Sequence, residues 1–261
     1  LSTLNEQGVF SNATASNVFN NADVRENLEN NIVNNLRTKG YYGLDIDFEF
    51  INPQESIVYS ELINELKERL NPLGYDVIAA LAPKTSDEQK GTLYEGHNYG
   101  LIGDAANYVL LMTYEWGYTY GPPMAVAPIN KVREVLDYAV TRIPPEKIYL
   151  GVPTYGYNWT LPYVKGVSRA PSISNIQAIN LASKYNAEIN FDELSKAPWF
   201  NYTDSEGIPH EVWFEDARSV EAKLMLVNEY GFAGVGYWDL LRPFPQNWLV
   251  LNSLYNINNL A

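Results

Sequence analysis

At 261 residues and 29.5 kDa, the chain has the length of one α/β barrel and enough material for a sizeable core. Eighteen Lys and Arg against 31 Asp and Glu leave a formal net charge of −13, which repels phosphate backbones and anionic lipid heads and so argues against nucleic acid or a membrane surface as partner. With no Cys and only His97 and His210, disulfides, thiolate nucleophiles and multi-histidine or Cys-based metal sites are excluded, whereas 20 Tyr, 9 Phe and 6 Trp form an aromatic surplus suited to barrel packing and to stacking on sugar rings.

In chain order, Leu1 is not an initiator Met, and no basic and apolar leader precedes the first structured-looking segment, so the chain is expected to start partway into a longer protein. From Asp23 to Lys39, Val24, Leu28, Ile32 and Leu36 recur every four positions and Gly40 follows, which predicts an amphipathic helix with its stop. Gly43–Phe50 is predicted as a strand, and a second helix runs from Asn52-Pro53 to Leu70, stopped by Asn71-Pro72-Leu73-Gly74. Val77–Leu81, Tyr108–Tyr114, Ile148–Val152 and Ala233–Trp238 are further short apolar runs at spacings that suit crossover connections. All five runs are predicted to be parallel barrel strands. The longest central apolar run, Tyr108–Met112, falls far short of the roughly 20 residues of a membrane-spanning helix. Pro128–Ile143 and Ser219–Tyr230 are predicted helices. Ala187–Phe214, with its aromatic clusters and polar turns, is expected to be a small antiparallel insertion before the last strand.

The chemistry concentrates in Gly43-Leu44-Asp45-Ile46-Asp47-Phe48-Glu49-Phe50. Strand alternation puts Asp45, Asp47 and Glu49 on one face and the apolar residues on the other. In a central strand, three carboxylates on one face violate the burial rules by several kcal/mol, a violation characteristic of functional sites. An exposed acidic edge strand is one alternative, but it fits poorly with large apolar residues opposite and amphipathic helices on both sides. A metal site is another, although same-face ligands on a straight strand stand about 6.5–7 Å apart, too far for all three to grip one ion. Paired-carboxylate acid–base chemistry remains, in which one acid raises the pKa of its neighbour. Glu49, nearest the C-terminal end of the strand, is the best-placed proton donor.

This run resembles the Asp-x-x-Asp-x-Asp-x-Glu signature of glycoside hydrolase family 18, its last three acids matching Asp45, Asp47 and Glu49. Met112-Thr113-Tyr114, Gly151-Val152-Pro153-Thr154-Tyr155-Gly156 and Gly236-Tyr237-Trp238-Asp239 resemble later family strands in the family's order. Leu81-Ala82-Pro83-Lys84-Thr85-Ser86, Gly121-Pro122-Pro123-Met124-Ala125-Val126-Ala127-Pro128 and Phe244-Pro245-Gln246-Asn247-Trp248 resemble the branch of bacterial spore cortical-fragment-lytic N-acetylglucosaminidases.

The resemblance implies a (β/α)8 TIM barrel over residues 1–261. Counting Leu1–Asn5 as the third family strand leaves only six, so the first two βα units are expected upstream of Leu1; a small α+β insertion at about 164–215 separates strands 7 and 8. It implies a retaining reaction without an enzyme nucleophile, in which the substrate's 2-acetamido oxygen attacks C1. Glu49 would then be acid and base, Asp47 would hold the acetamido N–H, and Asp45 would share a proton with Asp47. Tyr114 would donate to the acetamido carbonyl, Trp238 would form the apolar floor, and Tyr155 would line the pocket. Glu115 stands where many members carry Asp, open between a substrate contact and a supporting partner. Taken singly, Tyr114, Tyr155 and Trp238 read as barrel packing; only the motif context makes them site residues. Tyr42 replaces the outermost acid of the signature, so proton sharing is expected to end at Asp45. His97 and His210 read as loop residues without a catalytic role. No metal and no cofactor is expected.

The expected substrate is an N-acetylglucosamine-containing polysaccharide or muropeptide, cleaved at β-1,4 bonds in spore-cortex or cell-wall peptidoglycan. The implied location is the bacterial spore or cell envelope, outside the cytoplasm, with LysM repeats in a longer parent chain. Alternatives are a chitinase or chitooligosaccharide hydrolase, and a catalytically silent sugar-binding relative; silent relatives usually lose the acid that Glu49 supplies here.

Overall fold

Capping residues bracket the helices of the N-terminal part. Ser11 caps α1 (Asn12–Asn20), Asn21 caps α2 (Ala22–Lys39), and α2 ends at Gly40 in the left-handed conformation. The structure, a computed structural model, describes residues 1–257. After β1 (Gly43–Ile46), a 3₁₀ turn at Pro53–Glu55 leads into α3 (Ser56–Leu70), whose Tyr59, Leu62, Ile63, Leu66 and Leu70 are buried on one side. β2 (Asp76–Leu81), α4 (Tyr99–Ala105), β3 (Tyr108–Leu111), α5 (Ile129–Ala139) and β4 (Ile148–Pro153) continue the alternation. Next come β5 (Tyr155–Thr160), β6 (Ser172–Ser174), α6 (Asn175–Lys184), β7 (Asn190–Asp192), β8 (Ala197–Thr203) and β9 (Pro209–Trp213). α7 (Ala217–Tyr230), β10 (Gly234–Trp238) and α8 (Pro245–Leu254) complete the order.

Two five-stranded sheets result, ordered β1-β2-β3-β4-β10 and β6-β5-β9-β8-β7. The five runs predicted as parallel barrel strands supply the five strands of the first sheet. β1 to β4 are parallel, with Gly43 opposite Asp76, Ile78 opposite Tyr108 and Val109 opposite Ile148. The second sheet is antiparallel and begins at Tyr155, earlier than the insertion expected at about 164. The aromatic and polar run Tyr155–Thr160 lacks the aliphatic signature that marked the other strands. Helices α1, α4, α6 and α8 were also not foreseen, since each is ten residues or shorter and short helices are formed by packing more than by their own periodicity.

Two compact units divide the chain. The first holds residues 1–112, 135–150 and 232–234; the second holds 113–134, 151–231 and the chain from 235 onward. In the first, Leu44, Ile46 and Phe48 are buried, and the Phe48 ring stacks on Tyr59 of α3 at 5.6 Å and 4°. The acidic residues that alternate with them keep some solvent contact. The predicted strand Gly43–Phe50 is therefore correct in its facing but too long. Regular pairing ends at Ile46, and Asp47 makes only an isolated parallel bridge to Ser2. Phe50 turns the chain with φ of 57° and is exposed instead of extending the apolar face. Leu1–Asn5, counted as a strand, makes that one parallel bridge and an antiparallel one from Leu4 to Phe10.

In the second unit, one face of the antiparallel sheet packs Phe200, Val212 and Phe214 against Ala178 and Ala182 of α6. The opposite face carries Tyr155, Tyr157 and Trp159, packed with Val126 and Ala170.

Candidate active site

Asp45 lies within β1 opposite Ile78, and Asp47 and Glu49 follow beyond its C-terminal end, alternating with the buried Ile46 and Phe48. Asp47 is half-buried, and one of its carboxylate oxygens, Oδ1, is buried without a hydrogen-bond partner. Burial, and then the neighbouring charge of Asp45, push the Asp47 carboxyl up to about 6. Asp45 has more solvent contact, yet burial by the protein around it still holds its carboxyl above the usual range. Two acids on one strand face, one of them keeping its proton close to neutral pH, can share a proton and hold an N–H donor. Glu49, two residues beyond Asp47, is half-buried.

The second unit holds a different cluster. Glu115, at φ of 67°, accepts hydrogen bonds through one oxygen from the hydroxyls of Tyr155 at 3.0 Å and Tyr157 at 2.9 Å. Burial and the Glu115 carboxylate both raise the pKa of these phenols, so each stays a hydrogen-bond donor. Tyr114 packs against the same aromatic group. The Arg242 guanidinium lies 5.4 Å from the centre of the Tyr155 ring, donates to the Ser172 hydroxyl and pairs with Asp239 at 3.7 Å. Trp238 ends β10 with 55 % of its surface exposed, and its carbonyl accepts from the Thr154 N–H at 2.9 Å. The Trp238–Asp239 peptide is cis. Among the described residues, no group of three His, Cys, Asp or Glu side chains is placed to hold a metal ion, and no helix is long and apolar enough to cross a membrane.

The model of the glycosyl hydrolases family 18 matches residues 8–242. The chain belongs to glycosyl hydrolase family 18. It is 44% identical over 252 residues to the cortical fragment-lytic enzyme of Bacillus subtilis (strain 168), covering 97% of this chain and 58% of that one. It superposes on the crystal structure of the Bacillus cereus spore cortex-lytic enzyme SleL with a TM-score of 0.94 at 40% identity, covering 98% of this chain and 59% of that one. The chitinase from Chromobacterium violaceum matches with a TM-score of 0.88 at 27% identity, over 96% of this chain and 77% of that one. The chain thus spans under two thirds of the cortex-lytic relatives and has the chitinase-like α/β fold of family 18.

Of the residues singled out in this family 18 chain, Asp45, Asp47 and Glu49 are brought together in the first unit, and Tyr114, Glu115 and Tyr155 in the second. Sequence reasoning missed Tyr157 and Arg242. Tyr157 follows Tyr155 by two positions and so shares its strand face, a signal available once Tyr155–Thr160 is read as a strand. Arg242 had no local signal. His97 lies in a loop as read, yet it is completely buried, bonded to Phe48 and Ala82 just beyond the ends of β1 and β2.

Proposed function

We propose that the chain is the catalytic part of a retaining, substrate-assisted glycoside hydrolase. Its substrates are β-1,4-linked N-acetylglucosaminyl bonds in spore-cortex or cell-wall peptidoglycan fragments, and it works in the spore or cell envelope. The observation that carries this reading is Asp47, whose carboxyl is held at about 6 by burial and the Asp45 charge, two residues before Glu49 where the chain leaves β1. An acid in that state holds the N–H of an acetamido group and offsets positive charge as the acetamido oxygen attacks C1. Glu49 protonates the leaving oxygen and then, as its conjugate base, activates the water that opens the oxazolinium intermediate. Tyr114 donates to the acetamido carbonyl and Trp238 supplies the apolar floor. Tyr155 lines the pocket and, with Tyr157, aims Glu115 by donating to its carboxylate.

The remaining organisation belongs to the same proposal. The chain belongs to one barrel whose antiparallel insertion opens at β5, with LysM repeats elsewhere in a longer parent chain. A chitooligosaccharide hydrolase is the second reading, favoured by the fold match to a chitinase.

The test is to incubate the protein with cortical muropeptide fragments and, separately, with chitooligosaccharides. Release of N-acetylglucosamine from the fragments supports the cell-wall assignment, turnover of chitooligosaccharides alone replaces it with the second reading, and binding without turnover of either makes the chain a silent relative.

A further inference from the structure

His97 lies on the turn before α4 and contacts two strand ends at once. Its Nε2–H donates to the Phe48 carbonyl at 2.8 Å, and its Nδ1 accepts from the Ala82 N–H at 3.0 Å. Those two bonds require the neutral ring with its proton on Nε2. Complete burial supports that form, holding the imidazole down to about 4, and the nearby Lys84 ammonium acts in the same direction. The turn is itself anchored. The Lys84 ammonium donates to the His97 carbonyl at 3.1 Å, and the Tyr99 hydroxyl donates to the Ala82 carbonyl at 2.6 Å while accepting from the Lys84 N–H at 3.0 Å. Beside His97, Gly96 approaches so closely that a Cβ there would stand 2.2 Å from the Ile51 carbonyl oxygen. Phe48 and Ile51 flank Glu49 and Phe50, and Phe50 is the residue held at φ of 57°. The turn that presents Glu49 is therefore gripped on both sides by one dipeptide from a different βα unit.

We propose that Gly96-His97 is a positioning clamp that sets the place of the Glu49 carboxyl by fixing the Phe48 carbonyl and the Ile51 backbone on either side of it. The inference rests on the reading of Glu49 as the catalytic acid. Lys84 and Tyr99 brace the clamp, and none of the four touches the reacting atoms. Because misplacing a catalytic group by about 1 Å can cost on the order of 10²-fold in rate, loss of the clamp acts on kcat and not on substrate affinity.

Kinetics of His97→Leu, Gly96→Ala, His97→Gln and Glu49→Gln, each with its melting temperature, test the clamp. The Leu and Ala variants are expected to lose kcat at least about tenfold with KM changed by less than about twofold. His97→Gln, whose amide can accept and donate in the same two directions, is expected to recover most of that loss. His97→Leu added to Glu49→Gln is expected to cost nothing more. Unchanged kcat in a folded Leu or Ala variant, or equal loss in the Gln and Leu variants, overturns the clamp. Full activity in Glu49→Gln overturns the underlying reading of Glu49 instead. Histidine ¹⁵N spectra of the wild-type protein test the geometry without any variant. A His97 ring still neutral and protonated on Nε2 at pH 5.5 agrees with the clamp, and a ring already charged, or protonated on Nδ1, overturns it.

Discussion

In the proposed reaction Asp47 sets catalysis and stability against each other, and Asp47→Asn separates them. The folded protein holds this carboxyl near 6, whereas the unfolded chain ionises at about 3.8. Between those values the folded state keeps a proton that the unfolded state has released, so stability falls as pH rises through the window and the full cost is present above it. A displacement of that size corresponds to about 3 kcal/mol at neutral pH. Asparagine has no charge to desolvate, so the variant is expected to be more stable than wild type by up to about 3 kcal/mol at pH 7.5, roughly 6–12 °C in melting temperature for a chain of this size. At pH 2.5, where the wild-type acid is protonated in both states, the gain is expected to vanish. Hydrolysis by the same variant is expected to fall sharply. Thermal denaturation of both proteins at the two pH values, with turnover measured alongside, checks this. A stability difference that does not change with pH refutes the assignment of a strained, proton-retaining Asp47.

Asp45→Asn removes the second cause of that displacement and is expected to move the Asp47 titration down towards the ordinary aspartate range, read as a downward shift of the corresponding limb of the pH–rate profile. In the second unit, Lys223 and Glu215 form a fully buried pair at 2.8 Å, and burial pushes the Glu215 carboxyl up despite its partner. Lys223→Met is expected to cost about 3–5 kcal/mol in urea unfolding, most of it recovered by adding Glu215→Leu. Gly156→Ala puts a Cβ 2.2 Å from the Trp213 carbonyl oxygen across the β5–β9 pairing, where neither backbone can yield cheaply. A loss of about 1–3 kcal/mol or more is expected from thermal melting.

The parallel sheet was legible because its strands are short β-branched runs between helices with clear stops, signals that depend only on neighbouring residues. Gly43–Phe50 shows where such reading ends. Alternation of Leu44, Ile46 and Phe48 with Asp45, Asp47 and Glu49 assigned both faces correctly, yet the strand's end is set by the turn at Phe50 and by contacts from Gly96 and His97, nearly fifty residues away. The antiparallel sheet was half legible. The aromatic clusters of Ala187–Phe214 announced β7, β8 and β9, but β5 pairs with β9 across more than fifty residues and has a sequence that a loop could carry. The candidate acids Asp45, Asp47 and Glu49 could be named from their spacing and family likeness, whereas Tyr157, Arg242 and His97 acquire their partners only from residues distant in sequence.

Comparing kcat of the wild-type protein and Glu49→Gln on an N-acetylglucosaminyl substrate tests the central claim most directly, because glutamine keeps the side chain's shape and removes only the proton it transfers. A fall of about 10²–10⁴-fold with an unchanged melting temperature is the expected result, and equal turnover by the two proteins would contradict the assignment of Glu49 as the acid.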